Sequence, residues 1–365
     1  MKLNKVIISG GGTGGHVFPA IAIANSIKEK YPEADILFIG ANGKMEMEKV
    51  PAAGYKIEGL DIVGIQRKLT LKNLTVPVKL FKSLRRAKKI IKEFNPDIAI
   101  GVGGYASAPT LKMANKLGVP TVLQEQNSYP GLTNKLLSKK ASKICVAYEN
   151  MDRFFSKEKI VLTGNPVRQN MVQIEGKKEA AIKEFGLDVN KKTLLVIGGS
   201  LGARTINNSI KEAVNLFGEN NIQVIWQCGK FYQKDLEAFC AENEMPHIHL
   251  NPFITKMDLA YAAADLVVSR AGAISVSELC LVGKPTILVP SPNVSEDHQT
   301  KNAMALVKNN AAILIKDVDA VQVVGKQVVD LFSDENKLKE LSENILKMAL
   351  PNATNDIRTE IENLI

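Results

Sequence analysis

The sequence predicts an α/β protein with two doubly wound, parallel-sheet domains, and two observations support this prediction. Glycine-rich turns follow short apolar strands at Gly10–His16 and again at Gly198–Arg204. A strand, a glycine turn and a helix in this order form the phosphate-binding unit of doubly wound folds. The chain also has 365 residues, which is more than one hydrophobic core usually serves. The repeated turn therefore indicates two similar, Rossmann-like halves.

In the first half, apolar strands alternate with polar helical stretches, as in a parallel sheet covered on both faces. The first turn is followed by a helix predicted at Ala20–Glu29. The strands are predicted at Val6–Ser9, Ile36–Ile39, Ile98–Gly101, Thr121–Gln124 and Ile144–Ala147.

The second half repeats the alternation, with strands predicted at Leu194–Ile197, Val224–Gln227, Ile248–Leu250, Leu266–Ser269 and Thr286–Val289. The segment Thr163–Arg168 contains Gly164 and Pro166 and cannot continue a helix or a strand, so it predicts a hinge. We therefore expect one domain over residues 1–165 and another over 166–346. An amphipathic helix at Asp356–Ile365, within the segment 347–365, is expected to pack back on the first domain.

The composition, with 45% hydrophobic and 23% charged residues, is that of an ordinary globular protein. Cys145, Cys228, Cys240 and Cys280 lack the CxxC spacing of a zinc site, and they predict reduced thiols. The continuous apolar run before the first glycines is only three residues long, Val6-Ile7-Ile8, too short for a signal peptide. We therefore expect a cytoplasmic protein.

Positive charge is concentrated in one stretch, Ile62–Lys92, which contains no acidic residue. Such a patch predicts an anionic partner: nucleic acid, acidic lipid or a phosphorylated metabolite. The basic residues are Arg67, Lys68, Lys72, Lys79, Lys82, Arg85, Arg86, Lys88, Lys89 and Lys92.

The first glycine turn also fits the fingerprint of dinucleotide-binding dehydrogenases, through Gly10, Gly12 and Gly15. That fingerprint needs a carboxylate at the end of the second strand to bind ribose, but here the strand runs into Gly40-Ala41-Asn42. Neither turn has the G-K-[ST] ending of a P-loop. Both glycine turns still predict phosphate binding, because their amides and the following helix end attract anions.

Several polar residues at predicted strand ends are candidates for chemistry. His16 follows the first turn, where the helix dipole favours a neutral imidazole that can accept a proton, so it is a candidate general base; a purely structural hydrogen bond in the turn is the alternative. A third glycine turn, Gly101–Pro109, leaves another strand. Glu125, Asn127 and Asn134 follow the next strand and could bind sugar hydroxyls or cap their own loop.

The pair Asp317 and Asp319 has the D-x-D spacing with which some sugar transferases hold a metal. The two aspartates also precede an amphipathic helix, Ala320–Leu331, where aspartates are favoured as caps. We therefore expect caps at these positions and no metal in the protein.

Taken together, these turns resemble a known family. Gly11–His16, Gly103–Tyr105, Glu125–Asn127 with Gly131–Asn134, Asn165–Arg168, Gly198–Arg204 and Ser275–Glu278 are similar, in this order, to motifs of the MurG group of glycosyltransferase family 28. This resemblance implies the GT-B architecture, in which two Rossmann-like domains face a central cleft. It also implies transfer of N-acetylglucosamine from UDP-N-acetylglucosamine to undecaprenyl-pyrophosphoryl-MurNAc-pentapeptide, the step from lipid I to lipid II in peptidoglycan synthesis.

The resemblance implies a donor site in the second domain. Its residues would bind the diphosphate, the ribose, the uracil (through the backbone of Ile254) and the sugar hydroxyls (through His298, which some relatives replace by glutamine, and Gln299). Arg168 would reach the donor phosphates. The implied donor residues are Arg168, Ser200, Ile254, Ala273, Ile274, Ser275, Val276, Ser277, Glu278, His298 and Gln299.

The resemblance places the lipid-linked acceptor on the first domain. The chemistry would be a direct displacement with inversion, in which a base removes the proton of the muramyl C4 hydroxyl while helix dipoles and loop amides, with no cofactor or metal, stabilise the leaving UDP. His16 is the preferred base and Glu125 the second choice. The implied acceptor residues are Thr13, Gly14, Gly15, His16, Tyr105, Asn127 and Asn134.

Within this interpretation the stretch Ile62–Lys92 would bind the anionic cytoplasmic face of the plasma membrane, making the enzyme a peripheral membrane protein. Leu80, Phe81, Leu84, Ile90 and Ile91 would form the apolar face of its helix. The alternative is a core helix with a solvated basic back. Two other functions stay open: a related transferase with another lipid acceptor, and a non-catalytic basic protein that binds membrane or nucleic acid.

Overall fold

The computed structural model describes residues 3–62, 76–199 and 201–365. Ser200 and the segment 63–75, with Arg67, Lys68 and Lys72 of the basic stretch, lie outside the described residues. The chain divides into two compact units. Unit 1 comprises Met1–Val167 and Pro351–Ile365, and unit 2 comprises Arg168–Leu350.

Unit 1 is a parallel sheet with helices between successive strands. Its seven strands lie in the order β3-β2-β1-β4-β5-β6-β7, all parallel. The strands are β1 (Lys5–Gly10), β2 (Asp35–Ala41), β3 (Lys56–Leu60), β4 (Ile98–Gly103), β5 (Thr121–Glu125), β6 (Lys143–Val146) and β7 (Ile160–Leu162). The helices are α1 (Gly14–Lys30), α2 (Glu46–Ala52), α3 (Val76–Phe94), α4 (Ser107–Lys116) and α5 (Leu132–Leu137).

Unit 2 has the same design, with six parallel strands in the order β10-β9-β8-β11-β12-β13. The strands are β8 (Lys192–Ile197), β9 (Ile222–Gln227), β10 (Ile248–Asn251), β11 (Leu266–Ser269), β12 (Thr286–Leu288) and β13 (Ile313–Leu314). The helices are α6 (Lys178–Phe185), α7 (Arg204–Glu219), α8 (Gln233–Glu242), α9 (Met257–Ala263), α10 (Ala273–Val282), α11 (His298–Val307), α12 (Ala320–Ser333) and α13 (Glu335–Lys347).

Every strand predicted from apolar runs is present, within a few residues of its predicted bounds. Two strands of unit 1 were missed, β3 and β7. Both lie at sheet edges. Because β3 contains two charged residues and a glycine and β7 has only three residues, neither shows the apolar pattern of a central strand.

The order of each sheet reverses between two central strands, β1 and β4 in unit 1 and β8 and β11 in unit 2. Ligands of doubly wound folds bind at the carboxyl ends of the strands at this reversal. In unit 1 the first glycine turn follows β1 and the third follows β4. In unit 2 the second glycine turn follows β8, and the turn before α10 follows β11. The topology therefore brings candidate residues together within each unit.

The last helix, α14 (Ala353–Glu362), belongs to unit 1 although the preceding helices belong to unit 2. Ile357 and Ile361 are fully buried in the core that α1 shares with the sheet. Arg358 donates to the carbonyl and the hydroxyl of Ser26, at 3.2 and 2.9 Å. The segment 347–365 was expected to pack on the first domain, and in the structure the part that does so begins at Pro351.

Helix α3 differs from the docking helix that the sequence suggested. Ile90 and Ile91 are buried in the core of unit 1, and Leu84 packs against the same core. The exposed apolar residues are Val78, Leu80 and Phe81, near the start of the helix. The assignment of Leu84, Ile90 and Ile91 to an outer apolar face was therefore wrong, because these three residues fill the space between α3 and the sheet.

Candidate active site

The first and third glycine turns are in direct contact in unit 1. The amide of Gly11 donates to the carbonyl of Gly103 at 3.3 Å. A side chain at Gly104, whose φ is +86°, would overlap the carbonyl oxygen of Gly11. Glycine is therefore required at Gly104 by both the close approach and the left-handed backbone.

His16 lies on this platform, in the first turn of α1. Its Nδ1 atom is 3.1 Å from the carbonyl oxygen of Gly11, and its ring occupies the space where a side chain on Gly103 would be. A carbonyl oxygen only accepts hydrogen bonds, so this contact favours the neutral tautomer with the proton on Nδ1 and the lone pair on Nε2. The Thr13 hydroxyl lies 3.4 Å from the same nitrogen and is the longer of its two contacts. This tautomer is the one that a general base acting through Nε2 needs.

One amide of the first turn, however, already has an anionic partner. The carboxylate of Glu46, at the start of α2, accepts hydrogen bonds from Gly12 at 2.8 Å and from Ala41 at 3.0 Å. Glu46 is 1% exposed. Glu46 therefore takes the Gly12 amide, and the expectation that the turn binds phosphate stays a prediction for the other amides of the turn.

A second buried carboxylate, Glu125, organises the loop after β5. It accepts from the amides of Asn127 and Gly131, at 3.0 and 3.2 Å, and from the side chain of Asn134 at 2.8 Å. Burial raises the pKa of Glu125, and these hydrogen bonds oppose the rise. With both oxygens engaged, Glu125 is built to hold Asn127 and Asn134 in place.

Asn134 is 2% exposed. Its side-chain nitrogen also donates to the carbonyl of Gln124, at 3.2 Å. Within the described structure its oxygen Oδ1 has no hydrogen-bond partner. A buried acceptor without a partner needs an explanation, and a ligand that donates a hydrogen bond is one. Tyr105, another predicted acceptor residue, is 54% exposed in the third turn.

In unit 2, helix α10 begins at Ala273 after the cap residue Gly272, so its first-turn amides face the end of β11. Glu278 lies one turn further on and accepts from the hydroxyl of Tyr261 at 3.1 Å. Burial raises the pKa of Glu278 to about 6, while the Tyr261 hydrogen bond and the charge of Arg168 oppose the rise. The predicted residues Arg168 and Ala273–Glu278 thus share one neighbourhood.

The second glycine turn is held by backbone packing and by the neutral side chain of Gln227. Gln227 donates to the carbonyl of Gly199 at 3.2 Å and accepts from the amide of Ile254 at 3.0 Å. A side chain at Gly229 would approach the Gly202 backbone to within 2.5 Å. Gln227 was not predicted to be a site residue. It connects two parts of the predicted site, the second glycine turn and Ile254.

The predicted pair His298 and Gln299 begins helix α11. The side-chain oxygen of Gln299 accepts from the amide of Ser291 at 2.8 Å. Glu296 and Asp297, directly before the helix, both have left-handed backbones, with φ of 57° and 50°. Such strained residues concentrate at functional sites.

The D-x-D pair does not act as predicted. Asp317 forms an ion pair with Arg270 and accepts from the hydroxyl of Thr205 at 2.9 Å, instead of capping a helix. Asp319 occupies the cap position of α12, but its side chain makes no capping hydrogen bond. Among the residues described, no cluster of three or more His, Cys, Asp or Glu side chains has the arrangement of a metal site.

The two parallel-sheet units form a GT-B fold, and the family comparisons identify the chain as a glycosyltransferase. Residues 6–146 match the glycosyltransferase family 28 N-terminal domain, and residues 193–357 match the glycosyltransferase family 28 C-terminal domain. The chain belongs to glycosyltransferase family 28.

Curated relatives align along almost the whole chain. A protein of Phocaeicola vulgatus is 57% identical over 361 residues, which cover 99% of this chain and 96% of that protein. One of Flavobacterium psychrophilum is 55% identical over 365 residues, covering 100% and 99%. Both are named UDP-N-acetylglucosamine–N-acetylmuramyl-(pentapeptide) pyrophosphoryl-undecaprenol N-acetylglucosamine transferase.

Among solved structures, the crystal structure of MurG from Acinetobacter baumannii has a TM-score of 0.81 with this chain at 28% sequence identity. The match covers 99% of each chain. The likeness thus extends over both units and the helix α14.

Proposed function

We propose that this protein transfers N-acetylglucosamine from UDP-N-acetylglucosamine to the C4 hydroxyl of undecaprenyl-pyrophosphoryl-MurNAc-pentapeptide, converting lipid I to lipid II. The observation that carries the proposal is the identity of 55–57% over the full length to relatives named for this reaction. The geometry within each unit supplies groups of the kinds that this reaction needs.

The donor is assigned to unit 2. The amides at the start of α10, together with Arg168, supply positive charge for the diphosphate. Glu278, when ionised, accepts hydrogen bonds from the ribose hydroxyls. Because the Ile254 amide is already bonded to Gln227, uracil recognition at this residue would use the Ile254 carbonyl oxygen.

The acceptor is assigned to unit 1. His16 takes the proton of the C4 hydroxyl on Nε2 as that oxygen attacks the anomeric carbon. The Nδ1 contact with Gly11 stabilises the imidazolium that results, since this nitrogen keeps its proton throughout. Asn134, through its unpartnered Oδ1, supplies a buried acceptor for the substrate. General-base catalysis of this kind contributes about 10²–10⁴ in rate.

Charge leaves with UDP, and donors that are fixed before the reaction stabilise it without reorganisation. The helix end at Ala273 is such a donor group, and the Arg168 guanidinium adds positive charge. We therefore propose that the reaction proceeds without a metal ion.

A direct assay tests the proposal. Purified protein, UDP-N-acetylglucosamine and the lipid-linked acceptor are incubated in EDTA, and mass spectrometry follows the acceptor. We expect the acceptor to gain one N-acetylhexosamine. Equal activity with UDP-glucose, or activity only after Mg²⁺ is added, would contradict the donor site. Transfer only to another lipid would identify the related-transferase alternative.

We further propose that the start of α3 binds the anionic face of the plasma membrane. Val78 and Phe81 are 57% and 60% exposed, and the Arg85 guanidinium lies 5.9 Å from the centre of the Phe81 ring. Exposed cations continue along the helix at Lys88, Lys89 and Lys92. Along the described helices, no segment combines the length and apolar character that a membrane span requires. Each cation near an anionic surface contributes about 1 kcal/mol.

The membrane proposal has its own test, sedimentation with anionic vesicles. The double variant Arg85→Glu and Lys88→Glu should release the protein from vesicles and leave UDP-N-acetylglucosamine binding unchanged. Arg86 is left intact, because it pairs with Glu58 at 2.9 Å within unit 1. The control is the same charge change on exposed residues of unit 2, Lys230→Glu and Lys234→Glu. If the α3 variant remains bound, α3 is a core helix with a solvated basic back.

A further inference from the structure

The first glycine turn of unit 1 encloses a carboxylate that the proposed reaction does not use. The Glu46 side chain accepts from the Gly12 amide, which lies inside the turn, and from the Ala41 amide at the end of β2. It is buried to 1% exposure. A carboxylate that accepts two backbone amides is held by charge-assisted hydrogen bonds, which are stronger than neutral ones.

Two glycines leave room for this side chain. A Cβ atom on Gly11 would overlap the Glu46 carboxylate, and one on Gly40 would lie 2.6 Å from its Cγ atom. Gly11 and Gly40 come from different strand ends, and both need to be glycine for the same reason. The backbone is therefore shaped around the Glu46 carboxylate.

The same turn controls the imidazole of His16. The carbonyl that fixes Nδ1 belongs to Gly11, whereas the amide that Glu46 holds belongs to Gly12, the next residue. The Gly11 amide is itself bonded to the Gly103 carbonyl on the third turn. Movement of the Gly12 peptide would therefore move the acceptor of the His16 ring.

We infer that Glu46 is a positioning residue: it binds the Gly12 amide of the first glycine turn and fixes the turn so that His16 presents Nε2 as the base. The carboxylate acts through Gly12 and Gly11 and touches no substrate. This inference rests on the proposed function for its consequence in catalysis, but its structural part, the tautomer of His16, is independent of any substrate.

The variant Glu46→Gln tests this inference with little change in volume. Glutamine has one acceptor oxygen, and its NH₂ group would face the second amide N–H, so one of the two amides loses its partner. The matched control is Glu48→Gln, on the same helix, because the Glu48 side chain is 75% exposed and pairs with Lys49. Both variants remove one negative charge from α2.

Steady-state kinetics give the first readout. We expect kcat of Glu46→Gln to fall about tenfold to a hundredfold, the range expected when a hydrogen bond to a charged group is lost. The KM for UDP-N-acetylglucosamine should stay within about twofold, since the donor is assigned to unit 2, and Glu48→Gln should match the wild type. Unchanged kcat in Glu46→Gln would overturn the inference. A parallel loss of donor binding would also do so, because it indicates general unfolding.

Nitrogen NMR of the histidine rings gives the second readout, which needs no activity. The His16 signals are assigned by their absence in His16→Ala. We expect the Nδ1–H tautomer in the wild type and in Glu48→Gln, and a mixture of tautomers in Glu46→Gln. If wild-type protein transfers no sugar, the proposed function fails while this comparison still decides the role of Glu46. An unchanged His16 tautomer in Glu46→Gln would refute the positioning role of Glu46.

Discussion

Glu278 provides a prediction in which function and stability oppose each other. Its carboxyl is buried beside the Tyr261 hydroxyl, and burial raises its pKa to about 6 from the ordinary value of 4.5. The folded protein therefore resists ionisation of this group. The proposed ribose contact uses the charged form of Glu278, and this is the form that destabilises unit 2.

The magnitude follows from the two pKa values. A rise from 4.5 to about 6 corresponds to about 2 kcal/mol of differential stability. Below pH 4.5 the carboxyl is protonated in both the folded and the unfolded chain and costs nothing. As the pH rises to about 6, the unfolded chain ionises first, so stability falls. Above that the full loss of about 2 kcal/mol remains.

The perturbation is Glu278→Gln, which removes the charge and keeps an oxygen for Tyr261. At pH 8 we expect the variant to be more stable than the wild type by about 2 kcal/mol, or roughly 4–8 °C in the Tm of a unit of this size. Near pH 4.5 the two proteins should unfold alike. Scanning calorimetry at several pH values measures the difference. Glu219→Gln, an exposed position in the same unit, is the control.

Donor binding should change in the opposite direction. Loss of a hydrogen bond between ionised Glu278 and the ribose should weaken UDP-N-acetylglucosamine about tenfold to a hundredfold, by titration calorimetry at pH 8. Wild-type affinity should decline as the pH falls below about 6, where Glu278 gains its proton. Equal stability of wild type and Glu278→Gln at every pH would refute the reasoning.

Three further predictions concern unit 1. His16→Ala should lower kcat by about 10²–10⁴ with donor binding unchanged, and titration with UDP-N-acetylglucosamine beside turnover measurements checks this. Gly104→Ala should abolish activity, because the added side chain would overlap the Gly11 backbone. Its control, Gly118→Ala, has a similar positive φ but open space around it, and it should lose only about 1–2 kcal/mol of stability. Turnover measurements and urea unfolding of the two variants test this difference. Ile357→Ala should destabilise unit 1 by about 2–5 kcal/mol in urea unfolding, because Ile357 is fully buried in the unit 1 core, and a wild-type unfolding curve would contradict the packing of α14.

Much of the fold could be predicted from the sequence because its signals are local. A buried parallel strand is a short apolar run, and a glycine turn after it identifies the sheet edge where ligands bind. Such runs predicted the central strands of both units. Edge strand β3 lacks such a run because it contains Lys56, Glu58 and Gly59, and β7, Ile160–Leu162, is too short to be recognised.

The candidate site was predicted less completely, because residues that contact each other there are far apart in the sequence. Tyr261 lies 17 residues from Glu278, and Glu46 lies 34 residues from the turn that it fills. Neither residue belongs to a local motif that predicts its partner. Gly11 and Gly40 leave room for the Glu46 side chain, but the sequence does not reveal this, because a glycine in a turn is explained by the conformation of the turn itself. In the same way, Ile90 and Ile91 fit a membrane face or a core face equally well until the sheet beside α3 is known.

The two glycine turns, which looked equivalent in the sequence, are used in different ways. In unit 1 the chain supplies its own anion, Glu46, and the turn becomes a fixed support for an imidazole. In unit 2 the corresponding turn is held by a neutral amide, Gln227, and the charged neighbours of the site are Arg168 and the start of α10. The positive groups of the second site would attract the diphosphate of the proposed donor. One duplicated fold can thus assign the nucleotide to one unit and the base to the other without any change in topology.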